Sequence, residues 1–298
     1  MRVLGPRLTE HHLGWTQDHV VWHLHRMTVS PTGAERRYTH GHEQATLASH
    51  GARTAANSAA YLLPVLEDGM RVLDVGCGPG TITLDLARLV PSGTVVGVEN
   101  TEEPLTAARA SAQRRGDGRT RFELGDALDL PFSDGSFDIV HAHQVLQHLT
   151  DPVRALQEMT RVCRSGGWIA ARDADYAAMA WYPEVPELEE WRGVYRAVAR
   201  ANGAEPDAAR RLRSWATAAG LRDTRYTASV WNYAHPDTCR WWGHSQADRY
   251  VGAVFTEQAA ALGVPDGALE RIAHGWRTWA EAPDAWFAIL HGELLART

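Results

Sequence analysis

Residues 71–83, RVLDVGCGPGTIT, constrain this chain more than any other stretch. A short apolar run (Val72, Leu73, Val75) enters three glycines at alternate positions, Gly76, Gly78 and Gly80. A helical pattern through Ile82, Leu84, Leu86 and Leu89 follows, and a second apolar run, TVVGV, ends at Glu99. That order predicts strand, tight turn, helix and strand, the βαβ unit that holds nucleotide-like ligands. The glycines allow positive φ and let a ligand approach the main chain where a Cβ would collide. Glu99, at the carboxyl end of the second strand, is placed to accept two hydrogen bonds from a ribose diol.

Two ligands compete for such a turn. A dinucleotide fingerprint needs Gly or Ala at position 81 after Gly76 and Gly78, and position 81 is Thr. The pattern present is Asp74-x-Gly76-x-Gly78-x-Gly80, with an acid two residues before the first glycine. VLDVGCGPG resembles motif I of the class I S-adenosylmethionine (SAM) methyltransferases. A glycine turn with no ligand and a nicotinamide site are the alternatives.

Composition narrows the partners. Among 298 residues, 44% are hydrophobic and 22% charged, as in an ordinary soluble globular protein. A net charge of −6 argues against nucleic acid, whose phosphates need clustered Lys and Arg. Three widely spaced cysteines, Cys77, Cys163 and Cys239, suit neither a metal site nor a disulfide framework, so a reducing cytoplasm is expected. No apolar run reaches membrane-spanning length, and residues 1–30 carry no signal-peptide core. The expected protein is cytoplasmic, a monomer or homodimer, acting on a small molecule.

Residues 1–37 hold His11, His12, His19, His23 and His25 without a clear period. A poorly ordered leader is preferred there over a metal site. From Tyr38 to Leu66 the spacing predicts a helix rich in small residues, with Arg53 and Asn57 on one face and His50 a turn earlier. That face is a candidate for the amino-acid end of a cofactor. Beyond Glu99, a helix is expected over 103–115, then strands at RFELG and FDIVHA. DPVRALQEMTRVCRSGGW reads as helix, turn and strand.

The strings VLDVGCGPG, VVGVE, GDALDLPF, FDIVHAHQVLQHL and RVCRSGGW resemble, in order, the UbiE-like branch of the methyltransferases. Arg164-Ser165-Gly166-Gly167 stands where that branch commonly reads Lys/Arg-Pro-Gly-Gly. The resemblance covers residues 71–173. It implies an α/β, Rossmann-like sheet of seven strands, the last antiparallel, with SAM across the carboxyl ends of the first strands. It also implies cofactor contacts from Asp74, Gly76, Cys77, Gly78, Gly80, Glu99, Asn100, Asp126, Ala127 and His143, supported by Arg53. Asp126 resembles the acidic position that meets the adenine amino group; a turn aspartate is its alternative. Upstream, SHGARTAANSAAYLLPVL looks like the gliotoxin bis-thiomethyltransferase group, which implies a dithiol acceptor.

Nine of the twelve tryptophans lie beyond residue 180. Helices are expected over 186–201 and 206–219, a strand over 222–233, then helices over 236–249, 254–263 and 267–281 before a last strand. The domain reading is an extension over 1–37, a SAM-binding core over 38–180, and a C-terminal part over 181–298. That last part completes the sheet at about 222–233 and 284–295 and carries a helical lid at about 181–205 and 236–281. Tyr38, Trp181, Trp231, Trp241 and Trp242 are the candidate substrate contacts, in an aromatic pocket for an apolar small molecule.

Methyl transfer from a sulfonium is an in-line displacement, so the protein must align the reactants and exclude water. A thiol needs little from a base; a ring hydroxyl or carbon needs more. Candidate bases or orienting groups are His143, Asp175 and Tyr176, with His141, His148 and Asp173 nearby. No metal constellation is evident, and SAM alone is the expected donor. S-methylation of a thiol or dithiol natural product is preferred over O- or C-methylation of a polyketide or quinone-like ring. A non-catalytic SAM-binding sensor is the alternative from another class.

Overall fold

The computed structural model describes residues 53–298. The leader expected over residues 1–37, the substrate contact expected at Tyr38 and the cofactor face expected at His50 lie outside the described residues. In chain order the elements are α1 (Ala55–Ser58), β1 (Arg71–Val75), α2 (Thr81–Leu89), β2 (Thr94–Glu99), α3 (Glu102–Arg114), β3 (Arg121–Leu124) and β4 (Phe137–His143). There follow α4 (Pro152–Val162), β5 (Cys163–Ala174), β6 (Ala180–Tyr182), α5 (Pro186–Ala201), α6 (Leu212–Ala218) and β7 (Asp223–Tyr233). The chain ends with α7 (Pro236–Tyr250), α8 (Ala253–Ala261), α9 (Ala268–Ala280) and β8 (Trp286–Arg297).

The sheet runs β3-β2-β1-β4-β5-β8, with β7 along the far side of β8. The first five strands are parallel and β8 is antiparallel to β5 and β7. This is the Rossmann-like order with a reversed last strand. An eighth, short strand, β6, pairs with the start of β8 beyond the end of β5. Central strands are covered on both faces, which is why β1 and β2 are buried at successive positions and read as mainly apolar runs rather than alternating ones.

Local signals place the helices. Asp151 caps α4 by accepting the Arg154 N–H at 2.9 Å, and Pro152 at the first position loses no hydrogen bond. Glu102 and Glu103 stand in the first turn of α3, where the positive end of the helix dipole favours them. One expectation is corrected. No single helix runs to Leu66, because Thr54 caps α1 in an extended conformation and α1 ends after one turn. Arg53 therefore precedes the helix and does not share a face with Asn57, whose side chain accepts the Thr54 N–H.

Three cores result. Leu73, Val75, Val96 and Val140 face Leu156 and Met159 on one side of the sheet, while Val72, Val95 and Ile139 face Leu62, Ile82 and Leu86 on the other. The third lies under α5, α7, α8 and α9, where Trp191, Trp276, Trp279 and Phe287 pack edge to face or tilted. Among the described residues, no helix is long and apolar enough to cross a membrane.

Candidate active site

The turn after β1 carries Gly76, Gly78 and Gly80 at φ of 66°, 54° and 75°. Left-handed backbone costs an ordinary residue about 1–2 kcal/mol, which glycine avoids. At Gly76 a Cβ would also lie 2.4 Å from Val145 Cγ2, so the chain itself fills that space. The Gly76 and Cys77 N–H groups both donate to the Val98 carbonyl, fixing the turn over the end of β2.

Glu99 then meets the turn. Its Oε1 accepts the Gly78 N–H at 2.8 Å and its Oε2 accepts the Asn100 N–H at 3.2 Å. Burial pushes its carboxyl up, and those two donors oppose the shift. One backbone bond per oxygen leaves lone pairs for a diol. Asn100 is exposed beside it, Ala127 is buried, and half-buried Asp126 accepts the Leu128 N–H at 2.9 Å. Asp74 does different work. It is 2% exposed, and its oxygens accept Thr83 Oγ1–H at 2.6 Å and His141 Nδ1–H at 2.7 Å. Those bonds tie β1 to α2 and β4, so Asp74 braces the turn. Cys77 is likewise buried, with its thiol pushed well up by desolvation.

Past β4 the chain enters a strained step. Gln144 has φ of 54°, held by its N–H to the Arg172 carbonyl at 2.7 Å. Its amide accepts from Arg53 Nη2 at 2.8 Å and donates to His291 Nε2 at 2.7 Å. His143, one residue earlier, is 4% exposed, and neither ring nitrogen has a hydrogen-bond partner. Burial, then the charges of Arg53 and Arg172, hold its imidazole well below the usual range, and thus neutral. Burial likewise pushes His148 down to about 3 and Asp173 up to about 7.

Around this step a pocket opens, lined by rings of Tyr176, Trp191, Trp231, Tyr233 and Trp242 and by Met179 and Ile289. Its polar lining is Arg53, Gln144, His148, Gln246 and Arg249. Of the tryptophans singled out in the sequence, Trp231 and Trp242 line it. Trp181 instead stacks on Phe287 and under Arg192, and Trp241 packs against Tyr233 outside the lining. Asp175 is braced: Arg210 grips both its oxygens at 2.6 and 2.7 Å, and its side chain accepts the Ala178 N–H in the following turn. Tyr176 is buried and stacked 4.1 Å from Tyr195, with its hydroxyl pushed up by desolvation.

Gln144, Gln246 and Arg249 were missed by the sequence reading. The helical spacing of Trp242, Gln246 and Arg249 was the available signal for two of them; the positive φ of Gln144 had none.

A family model for the methyltransferase domain matches residues 66–227, more than half of the chain. The chain belongs to the methyltransferase family. An uncharacterized methyltransferase of Schizosaccharomyces pombe is 34% identical to this methyltransferase over 269 residues, covering 87% of this chain and 95% of the relative. The probable methyltransferase ltbC of Aspergillus luteorubrus is 30% identical over 288 residues, covering 90% and 99%. A demethylmenaquinone methyltransferase of Roseiflexus castenholzii is 38% identical over 143 residues, which is 46% of this chain and 56% of that one. The solved structure of YcgJ from Bacillus subtilis shares the fold at a TM-score of 0.52 and 21% identity, covering 80% of this chain and 97% of its own.

The methyltransferase is SAM-dependent, and its residues fit that cofactor. Three positive-φ glycines shape the turn after β1, Glu99 keeps acceptor capacity at a strand end, and His143 offers a buried ring with unpartnered nitrogens. Among the described residues no three His, Cys, Asp or Glu side chains gather to hold a metal ion.

Proposed function

We propose that this enzyme methylates a small, largely apolar acceptor seated in the aromatic pocket, and that the methylated atom is the sulfur of a thiol or dithiol. Gly78, Glu99, Asn100, Asp126, Ala127 and His143 line the cofactor's side, with Arg53 and Gln144 at the boundary between the two ligands. Bound SAM supplies a methyl group already activated on a sulfonium. The protein's task is alignment and exclusion of water, which ring faces at the ends of β4 and β5 supply.

One observation carries the sulfur reading: the histidines beside the pocket are weak proton acceptors. His143 and His148 are held neutral with lowered basicity, Tyr176 is pushed up, and Asp175 is gripped by Arg210. A thiol, with a pKa of about 8.5, ionises with little help and is nucleophilic even as a small thiolate fraction. The guanidinium of Arg53 at the pocket favours that anion. The resemblance of residues 49–66 to the dithiol methyltransferases supports the same reading.

Ring methylation is the second reading, because a relative is named for demethylmenaquinone. That relative matches under half of this chain. Incubation of the enzyme and SAM with a reduced dithiol and with a panel of phenols, followed by mass measurement of the products, separates the two. Methyl gain on the dithiol is expected; methyl gain on phenols alone refutes the sulfur assignment.

A further inference from the structure

The pocket's rings come from several elements, and three of its buried donors share one helix face. Trp242, Gln246 and Arg249 stand at i, i+4 and i+7 on α7, the spacing that stacks side chains along one stripe. They are 8%, 1% and 7% exposed. Neighbouring helices bury mainly apolar side chains: Leu188 and Val198 on α5, Leu269 and Ile272 on α9. α7 buries Cys239, Ala247 and Tyr250 in the core too, but the stripe that meets the pocket carries an indole N–H, an amide and a guanidinium.

Folding alone does not account for that face. Gln246 Nε2 and Trp242 Nε1 are buried donors with no hydrogen-bond partner. Each unpaired buried donor costs about 1–3 kcal/mol. The charges at the pocket are also of one sign. Arg53 and Arg249 line it, no Asp or Glu does, and His148 is held neutral.

We infer that the acceptor carries a carboxylate, bound against the Trp242–Gln246–Arg249 stripe with its apolar body among the rings of Trp231 and Tyr233. A carboxylate offers about four lone-pair positions, enough for the indole, the amide and an arginine together. The anchoring carboxylate and the methylated atom are separate groups of one molecule. This inference rests on the aromatic pocket being the acceptor site of the methyltransferase.

The test uses the full chain saturated with S-adenosylhomocysteine, the demethylated cofactor, and calorimetric titration of two isosteric probes, 2-naphthoate and neutral 2-naphthamide. Naphthoate is expected to bind about tenfold more tightly or better. Gln246→Leu and Arg249→Met should each weaken naphthoate several-fold more than naphthamide, narrowing the gap between the two probes. Cofactor-product binding, measured first on every variant, reports an intact fold. The wild-type comparison needs no variant. Equal or reversed affinity of the two probes, or variants that weaken both probes alike, overturns the carboxylate. Failure of both probes to bind at millimolar concentration overturns the acceptor pocket itself, and failure of S-adenosylhomocysteine to bind overturns the cofactor site before either question is reached.

Discussion

Glu99 shows how much one carboxylate does here. It closes the glycine turn by accepting the Gly78 N–H, and it stands where β2 ends. Glu99→Gln keeps the shape and one acceptor oxygen but puts an NH2 where the second oxygen stood. It then either faces the Gly78 or Asn100 N–H with a donor or presents that donor to the ribose. Charge-assisted hydrogen bonds contribute about 1.5–3 kcal/mol, so S-adenosylhomocysteine should bind roughly 10- to 100-fold more weakly. Titration calorimetry on the variant, with its thermal unfolding checked alongside, measures this. Unchanged affinity would remove Glu99 from the cofactor site. The turn itself was legible because glycine spacing and a strand-end acid are local signals. Asp74 was legible as a residue but not as a role: only the fold brings Thr83 and His141 onto its two oxygens.

Among the elements, α7 was found within a residue of its end, yet its place in the molecule was not readable. Its sequence, PDTCRWWGHSQADRY, shows no clean apolar stripe, because one face meets α9 and another meets the pocket. Gly243 marks the first contact. A Cβ there would lie 2.6 Å from Ala280 Cβ and 2.9 Å from the Trp276 carbonyl oxygen, so the two helices touch nearly backbone to backbone. Gly243→Ala must therefore push α7 away from α9. Overpacking of this kind costs about 1–3 kcal/mol, and the gain in helix propensity of roughly 1 kcal/mol does not cancel it. Thermal unfolding should shift downward by several degrees; a rise would mean that the helices part freely. The short α1 teaches the opposite lesson. Its small residues suggested a long helix, and the Thr54 cap with the turn after Ser58 overrode that pattern.

For the whole molecule, the polar groups buried at the strand ends set how stability follows pH. Burial lowers His143, His148 and His291, the middle one to about 3. Unfolding returns each to about 6.5, so below that pH the unfolded chain binds the extra protons and stability falls as pH falls. For His148 the loss runs from about 6.5 down to about 3. Asp173 has the opposite sign. Its folded value is raised to about 7, against about 3.9 unfolded, so it takes up a proton on folding between those values, and its cost appears as pH rises. Each histidine contributes a slope of up to about 1.4 kcal/mol per pH unit, and Asp173 offsets one of them. Urea midpoints should hardly change from pH 8 to pH 7 and then drop steadily toward pH 5. Asp173→Asn keeps the oxygen that accepts the Gln147 N–H and removes the ionisation. The variant should be the more stable protein at pH 8, by roughly 2–4 kcal/mol, and should lose stability more steeply below pH 7 than the parent. Parallel curves for the two proteins would show that Asp173 is already charged in the folded enzyme, and that water or a ligand group reaches the unpartnered oxygen at the end of β5.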